Sequence, residues 1–220
     1  MGAISQLLFP SSCLLCNQPG VDVCSECSTK IRRNRRGLYI SDIPVWAGAV
    51  YGDELSELIL LAKEKHILPA RNFLAELLVE SFMRARNESE IRERTILVPV
   101  PSSKSANRTR GYRHAYLLAR QMLKRLPLSQ RGSVSIQEML VVNRKVADQT
   151  NLNREQRERN VQGAYAVTKT RDLAEQADLY LIDDLLTTGS SVREGIRALR
   201  QAGLRPAGVL TAGVSPRLFS

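Results

Sequence analysis

Strands alternating with amphipathic helices predict an α/β fold, a parallel, doubly wound sheet flanked by helices, with a small N-terminal metal module ahead of it. Three observations carry this expectation. Five short apolar runs bounded by turn residues read as strands, and apolar residues three and four apart between them read as helices. All four cysteines fall within the first 27 residues. The length of 220 residues suffices for one ordinary domain and an appendage.

The first element is the cysteine run itself, Cys13, Cys16, Cys24 and Cys27, written C-x2-C-x7-C-x2-C. A two-residue gap lets a tight knuckle aim two thiolates at one point, and two knuckles complete a tetrahedron. Four thiolates close the coordination shell, so the expected metal is a structural zinc with no open catalytic position. An iron–sulfur cluster can use the same thiolates, and two disulfides or a redox pair are further readings. Disulfides are disfavoured in the cytosol, and no thioredoxin-like pattern surrounds either pair. Lys30, Arg32, Arg33, Arg35 and Arg36 follow the module within a basic, polar stretch, 28–43, that reads as a linker. The expected division is therefore a module with its linker, 1–43, and a main domain, 44–220.

Pro44 to Tyr51 reads as a strand. Leu55 to Lys65 and Leu68 to Arg86 carry apolar residues at helical spacing. Arg94 to Val100 is a strand stopped by Pro99 and Pro101, His114 to Leu126 a helix, and Met139 to Val142 a short strand. Residues 143–163 are polar without a clean period, as expected of a long loop that serves as an active-site lid. Asp178 to Asp183 is a buried strand, Ser190 to Ala202 a helix stopped by Gly203, and Ala207 to Ala212 the last strand.

Composition narrows the partners. Lys and Arg total 32 against 22 Asp and Glu, a formal charge of +10, which favours anions: nucleic acid, phosphorylated small molecules or a membrane surface. Residues 101–160 hold 13 basic and 4 acidic side chains, so almost the whole excess sits there. That concentration favours a phosphorylated ligand and leaves a membrane little support. Aromatic residues make up only 5%, thin for a platform that stacks single strands. No apolar run approaches a membrane span, and MGAISQLLF lacks the basic region and apolar core of a secretory leader. Gln6 stands where a myristoylation signal needs Ser or Thr. A cytoplasmic location without membrane insertion is expected; the oligomeric state is left open.

The strongest chemical signal is Leu179 to Ser191, LYLIDDLLTTGSS. An apolar strand delivers two adjacent carboxylates, Asp183 and Asp184, at its C-terminal end, where open α/β sheets bind ligands. Thr187, Thr188, Gly189, Ser190 and Ser191 then open a helix. Hydroxyls and backbone N–H groups at a helix N-terminus suit a monophosphate, and Gly189 permits close approach. Read singly, each Thr or Ser is an ordinary cap and the Asp pair a solvated turn. No G-x-x-x-x-G-K-[ST] is present, so a P-loop triphosphatase is not expected. His66 and His114 show no neighbour in sequence that would make either a ligand or a base.

The thirteen-residue string resembles the phosphoribosyl-pyrophosphate (PRPP) motif of type I phosphoribosyltransferases, and the whole chain resembles the competence protein ComF branch of that fold. Besides the cysteine module, VPVPSSKSANRTRGYRHA matches that branch. So does the run Gln149, Thr150, Leu152, Arg157, Asn160, Val161, Gly163 and Ala164. The resemblance implies a type I phosphoribosyltransferase-like sheet in which Asp183 and Asp184 hold ribose hydroxyls and Thr187 to Ser191 bind the 5′-phosphate. It implies Mg2+ on the pyrophosphate and places Lys104 on the pyrophosphate-contacting loop, with Arg108 and Arg110 behind it. Arg144, Lys145, Arg154 and Arg157 fall on a loop that in this family closes over PRPP. One departure is Gly111-Tyr112-Arg113-His114, where the family usually has Gly-Phe-Asn-Gln. The acceptor is not implied. The chain is expected to be a transferase of unknown acceptor, a PRPP-binding scaffold without turnover, or a competence factor that also meets single-stranded DNA and other competence proteins.

Overall fold

Alternation along the central strands decides which layer each side chain enters. The computed structural model describes residues 12–32, 38–88, 93–101, 113–143, 162–168 and 177–218. In chain order its elements are α1 (Ser25–Ile31), β1 (Leu38–Ile40), β2 (Ile43–Val50), α2 (Asp53–Lys63), α3 (Leu68–Glu88) and β3 (Arg94–Pro99). Then come α4 (His114–Arg125), α5 (Leu128–Arg131), β4 (Val134–Ile136), β5 (Leu140–Val142) and β6 (Tyr165–Val167). The last are β7 (Ala177–Leu186), α6 (Ser190–Gln201), β8 (Gly208–Val214) and a 3-10 turn, Pro216–Leu218.

The main sheet has six strands in the order β1-β2-β8-β7-β3-β4. All neighbours are parallel except β1, which pairs antiparallel with β2 at one edge. On β7, Tyr180 and Ile182 enter one layer while Leu179 and Leu181 enter the other. Leu97 against Ile96 and Val98 on β3, and Leu210 against Val209 on β8, split the same way. The first layer is filled by α2, α3 and α4 through Leu55, Leu58, Phe73, Leu77, Phe82, Leu118 and Met122. The second is filled by α6 through Val192, Ile196 and Leu199, with Leu140 and Tyr165 beside them. Central strands covered on both faces read as near-continuous apolar runs, and that is why they were visible in the sequence. Gly48 on β2 marks a close helix–sheet approach: a Cβ there would lie 2.5 Å from Leu77 Cβ on α3.

The architecture matches the expected α/β class, a mostly parallel sheet flanked by helices; besides the short elements α5, β4 and β6, which were not expected, it departs from the expected elements at three points. The stretch 28–43, read as a linker, holds the end of α1 and all of β1, whose Ile40 is buried against the second layer. Basic residues there masked a strand only three residues long. Met139 to Val142 does not join the main sheet; β5 pairs antiparallel with β6 as a separate two-stranded unit. The strand expected to end at Asp183 continues to Leu186, so the acidic pair lies within β7. Among the described residues, no helix is long and apolar enough to cross a membrane.

Candidate functional site

The last turn of β7 and the first turn of α6 bring together every residue of the string from Asp183 to Ser191. Gly189 is left-handed (φ 72°, ψ 7°) and caps α6 without a side chain, so neither Thr nor Ser serves as the helix cap. A Cβ at Gly189 would come 2.9 Å from Ile40 Cδ1. The Thr188 and Ser190 hydroxyls lie 2.7 Å apart, and the Arg193 guanidinium donates to the Thr188 carbonyl, fixing the loop from the next turn. Thr187 is exposed, Thr188 and Ser191 half-buried, Ser190 buried. The result is a short run of hydroxyls at a helix N-terminus, chemistry that could take a phosphate.

The two carboxylates differ sharply. Asp184 is 5% exposed. Lys63 Nζ, at the end of α2, lies 3.1 Å from its Oδ2, and His114 Nε2, at the start of α4, lies 3.5 Å from the same oxygen. Burial pushes this carboxyl up, but the charges of Lys63 and His114 outweigh it and hold it well below the usual carboxylate range. Asp183 is half-buried and accepts from the Asp184 backbone N–H at 2.9 Å. Burial first, and then the neighbouring Asp184 charge, push its carboxyl well up. Sequence reasoning set His114 aside and did not weigh Lys63, because their partner is distant in the chain.

Tyr165 ties the surroundings together. Its hydroxyl donates to the Pro101 carbonyl at 3.1 Å and also meets Ser191. Glu194 on α6, 4% exposed, accepts the Tyr165 backbone N–H at 2.9 Å, while Arg197 bonds both Glu194 and the Tyr165 carbonyl. Beside the end of β3 lies a cavity of about 430 Å3 lined by Pro99, Val100, His114, Tyr116 and Leu140 among others. Arg113 pairs with Glu138 and stacks over the Tyr116 ring at 4.9 Å. Glu138 thus takes up the charge introduced by the departure at position 113.

At the N-terminus the four cysteine sulfurs all lie within 4.8 Å of one another, with no disulfide. Asn17 in a left-handed turn (φ 60°) closes the first knuckle, its N–H donating to Cys13 O at 2.9 Å, and Cys24 caps α1. Burial would raise the Cys13 thiol, yet N–H groups of Cys24, Cys16 and Leu15 bring it to about 6. Burial and the neighbouring thiols push Cys27 up to about 12. Such a cluster cannot ionise fully without a cation, and one metal ion could be held by all four sulfurs.

Two known proteins are similar to this chain in sequence. No protein-family model matches the chain. It is 24% identical over 187 residues to Competence protein F of Haemophilus influenzae, covering 82% of this chain and 80% of that one. A stretch of 37 residues is 51% identical to orotate phosphoribosyltransferase of Methylococcus capsulatus, 17% of either protein. The chain is thus similar to a ComF protein over most of its length and to a phosphoribosyltransferase over one short stretch. Within the ComF-like chain, Lys104, Arg108 and Arg110 lie outside the described residues, as do Arg144, Lys145, Arg154 and Arg157. The segments that carry them attach beside the site. One leaves at Pro101 and returns at Arg113; the other leaves at Asn143, whose N–H bonds Ala164 O at 2.8 Å.

Proposed function

We propose that this ComF-like chain binds PRPP with Mg2+ at the C-terminal end of β7 and transfers its phosphoribosyl group to an acceptor nucleophile. The observation that carries the reading is the pairing of Asp183 and Asp184 with a hydroxyl-lined loop, kinked at Gly189, that opens α6. In this reading the loop Thr187 to Ser191 takes the 5′-phosphate and the acidic pair faces the ribose hydroxyls. Breaking the C1–oxygen bond expels pyrophosphate and leaves an oxocarbenium-like centre for the acceptor's lone pair. The chain contributes position and charge, with Lys104 and Arg157 supplied to the pyrophosphate from the two flanking segments. Carboxylate oxygens suit a hard cation, and Asp183, the more exposed of the two, would approach it. Mg2+, when bound with the ligand, supplies positive charge to the leaving pyrophosphate.

We further assign the cysteine cluster to one structural zinc. Zn–S bonds of about 2.3 Å place tetrahedral sulfurs about 3.8 Å apart, and Cys16 Sγ lies 3.7 Å from Cys24 Sγ. A polynuclear iron cluster would force the sulfurs further apart. The likeness to the Haemophilus protein supports a role in competence, and the basic segment 101–160 supports single-stranded DNA as a second partner on the same face.

PRPP with Mg2+ is expected to raise the melting temperature, by a stabilisation of about 2.7 kcal/mol at a hundredfold excess over Kd. Asp183→Asn combined with Asp184→Asn should abolish that shift. A wild-type chain that does not respond would sink the PRPP reading. Pyrophosphate release in a screen of bases, amines and single-stranded DNA then separates a transferase from a scaffold that holds the ligand without turnover.

A further inference from the structure

We propose that Tyr165 is a positioning residue, a strut between the phosphate loop and the end of β3 that fixes the span over which a ligand with two anionic ends is held. The inference rests on the PRPP reading and deepens it, because PRPP carries a phosphate at one end of its ribose and a pyrophosphate at the other. Tyr165 is 6% exposed and stands on β6, outside the main sheet. Its hydroxyl donates its one proton to the Pro101 carbonyl at 3.1 Å, so Ser191 is the donor in the second contact of that oxygen. A single oxygen therefore joins the chain just past β3 to the first turn of α6.

The strut has a firm seat. Ser191, Glu194 and Arg197 recur at three-residue spacing and share one face of α6. Tyr165 meets all three. Its hydroxyl meets Ser191, its backbone N–H donates to Glu194 Oε1 at 2.9 Å, and its carbonyl accepts from Arg197 Nη2 at 2.9 Å. Arg197 also donates to Glu194 Oε2 at 2.8 Å, and Glu194 is 4% exposed, so the seat is a buried network with its bonds made. On the other side β5 backs the strand, with Val142 opposite Tyr165.

The strut crosses the place where the sheet stops holding its own ends. β3 and β7 are parallel neighbours, with Pro99 opposite Ile182, and the last ladder bond runs from Val100 N–H to Ile182 O at 2.9 Å. Beyond it β7 continues to Leu186 and turns at Gly189 into α6, while the other chain leaves at Pro101. The Tyr165 oxygen ties these two exits together again. Removing it leaves the ring packed but unties Ser191 from Pro101. A ligand held at one end does not sense that spacing, whereas a ligand held at both must restore it at a cost in affinity.

Tyr165→Phe removes the oxygen and keeps the ring. In the full chain it should weaken binding of PRPP with Mg2+ by about threefold to tenfold, the usual effect of losing one hydrogen bond. Binding of ribose 5-phosphate, which has a single anionic end, should stay as in the wild type. Glu194→Gln loosens the Tyr165 backbone instead; it should move the ratio of the two affinities the same way by less, and it serves where Tyr165→Phe does not fold. In the ligand-free chain Tyr165→Phe should also speed amide exchange at Val100 and at Arg193, whose N–H groups bond Ile182 O and Gly189 O. A residue that only supports the fold would lower the melting temperature and leave the ratio of affinities unchanged, and that result overturns the proposal. So does unchanged exchange at both amides. A wild type that binds no PRPP sinks the functional reading and the span with it, and the exchange then decides the strut alone.

Discussion

Cys13, Cys16, Cys24 and Cys27 complete their cluster within fifteen consecutive residues, whereas Asp184 meets Lys63 from 121 residues away and His114 from 70. The first site is assembled by turn chemistry: a left-handed Asn17, a helix cap at Cys24 and two knuckles. The second exists only because α2 and α4 pack on the same face of β7. A local cluster of thiols would stand or fall with any metal it holds. A site built from distant elements depends on packing, and its parts fail one at a time.

The largest expected effect breaks the local site. Cys13→Ser with Cys16→Ser removes half the sulfur shell, and structural zinc contributes about 10–16 kcal/mol in peptides that fold around it. Bound zinc should fall from one per chain to none, and backbone amide exchange over residues 12–32 should lose its protection. Protection in β7 and β8 should persist, because their cores are formed by the sheet and its own helices. Loss of protection throughout the sheet would show that the two regions form one cooperative unit.

This contrast also explains what could be read from the residues alone. The cysteine spacing is local, and so is the string from Leu179 to Ser191, where a buried strand, two carboxylates and a loop follow each other without interruption. The central strands were legible because burial on both faces leaves continuous apolar runs. Lys63 gave no signal, since a lysine ending an amphipathic helix is the ordinary complement to the helix dipole. His114 looked like a lone histidine because its partner is brought near only by the sheet. β1, β4 and β6 have three residues each, too few for a two-residue period to stand out.

A middle-sized effect tests the distant assembly at α6. Glu194→Gln breaks the bond between Arg197 and a carboxylate that also holds the Tyr165 N–H, at about 2 kcal/mol for charge-assisted hydrogen bonds. Burial would raise the Glu194 carboxyl, yet the Arg197 and backbone bonds keep it below the ordinary 4.5. A depressed folded value means that this stabilisation is fully present above the unfolded value and disappears as pH falls through the folded one. Denaturant unfolding should therefore show the variant weaker than wild type at pH 7, with the gap closing on acidification. A gap that stays constant down to pH 3 would assign the loss to shape rather than charge.

The smallest effect lies at the seam between the two regions. Arg32 directly follows α1, donates to Glu80 on α3 at 2.8 Å and stacks over Phe73 with its guanidinium 4.7 Å from the ring centre. Both charged side chains are partly exposed, so Arg32→Ala should cost only about 1 kcal/mol. Ile31, with Leu14, Leu15 and Val23, also packs against the first layer, and this apolar contact should survive the substitution. The expected result is a small fall in melting temperature with zinc content unchanged. Arg32→Lys keeps the charge and loses the planar stack, so it should fall between wild type and alanine. If Arg32→Ala instead releases zinc, the cysteine cluster is not locally complete: its knuckles would need α3 to hold them, and it would join the acidic site as a structure made by distant packing.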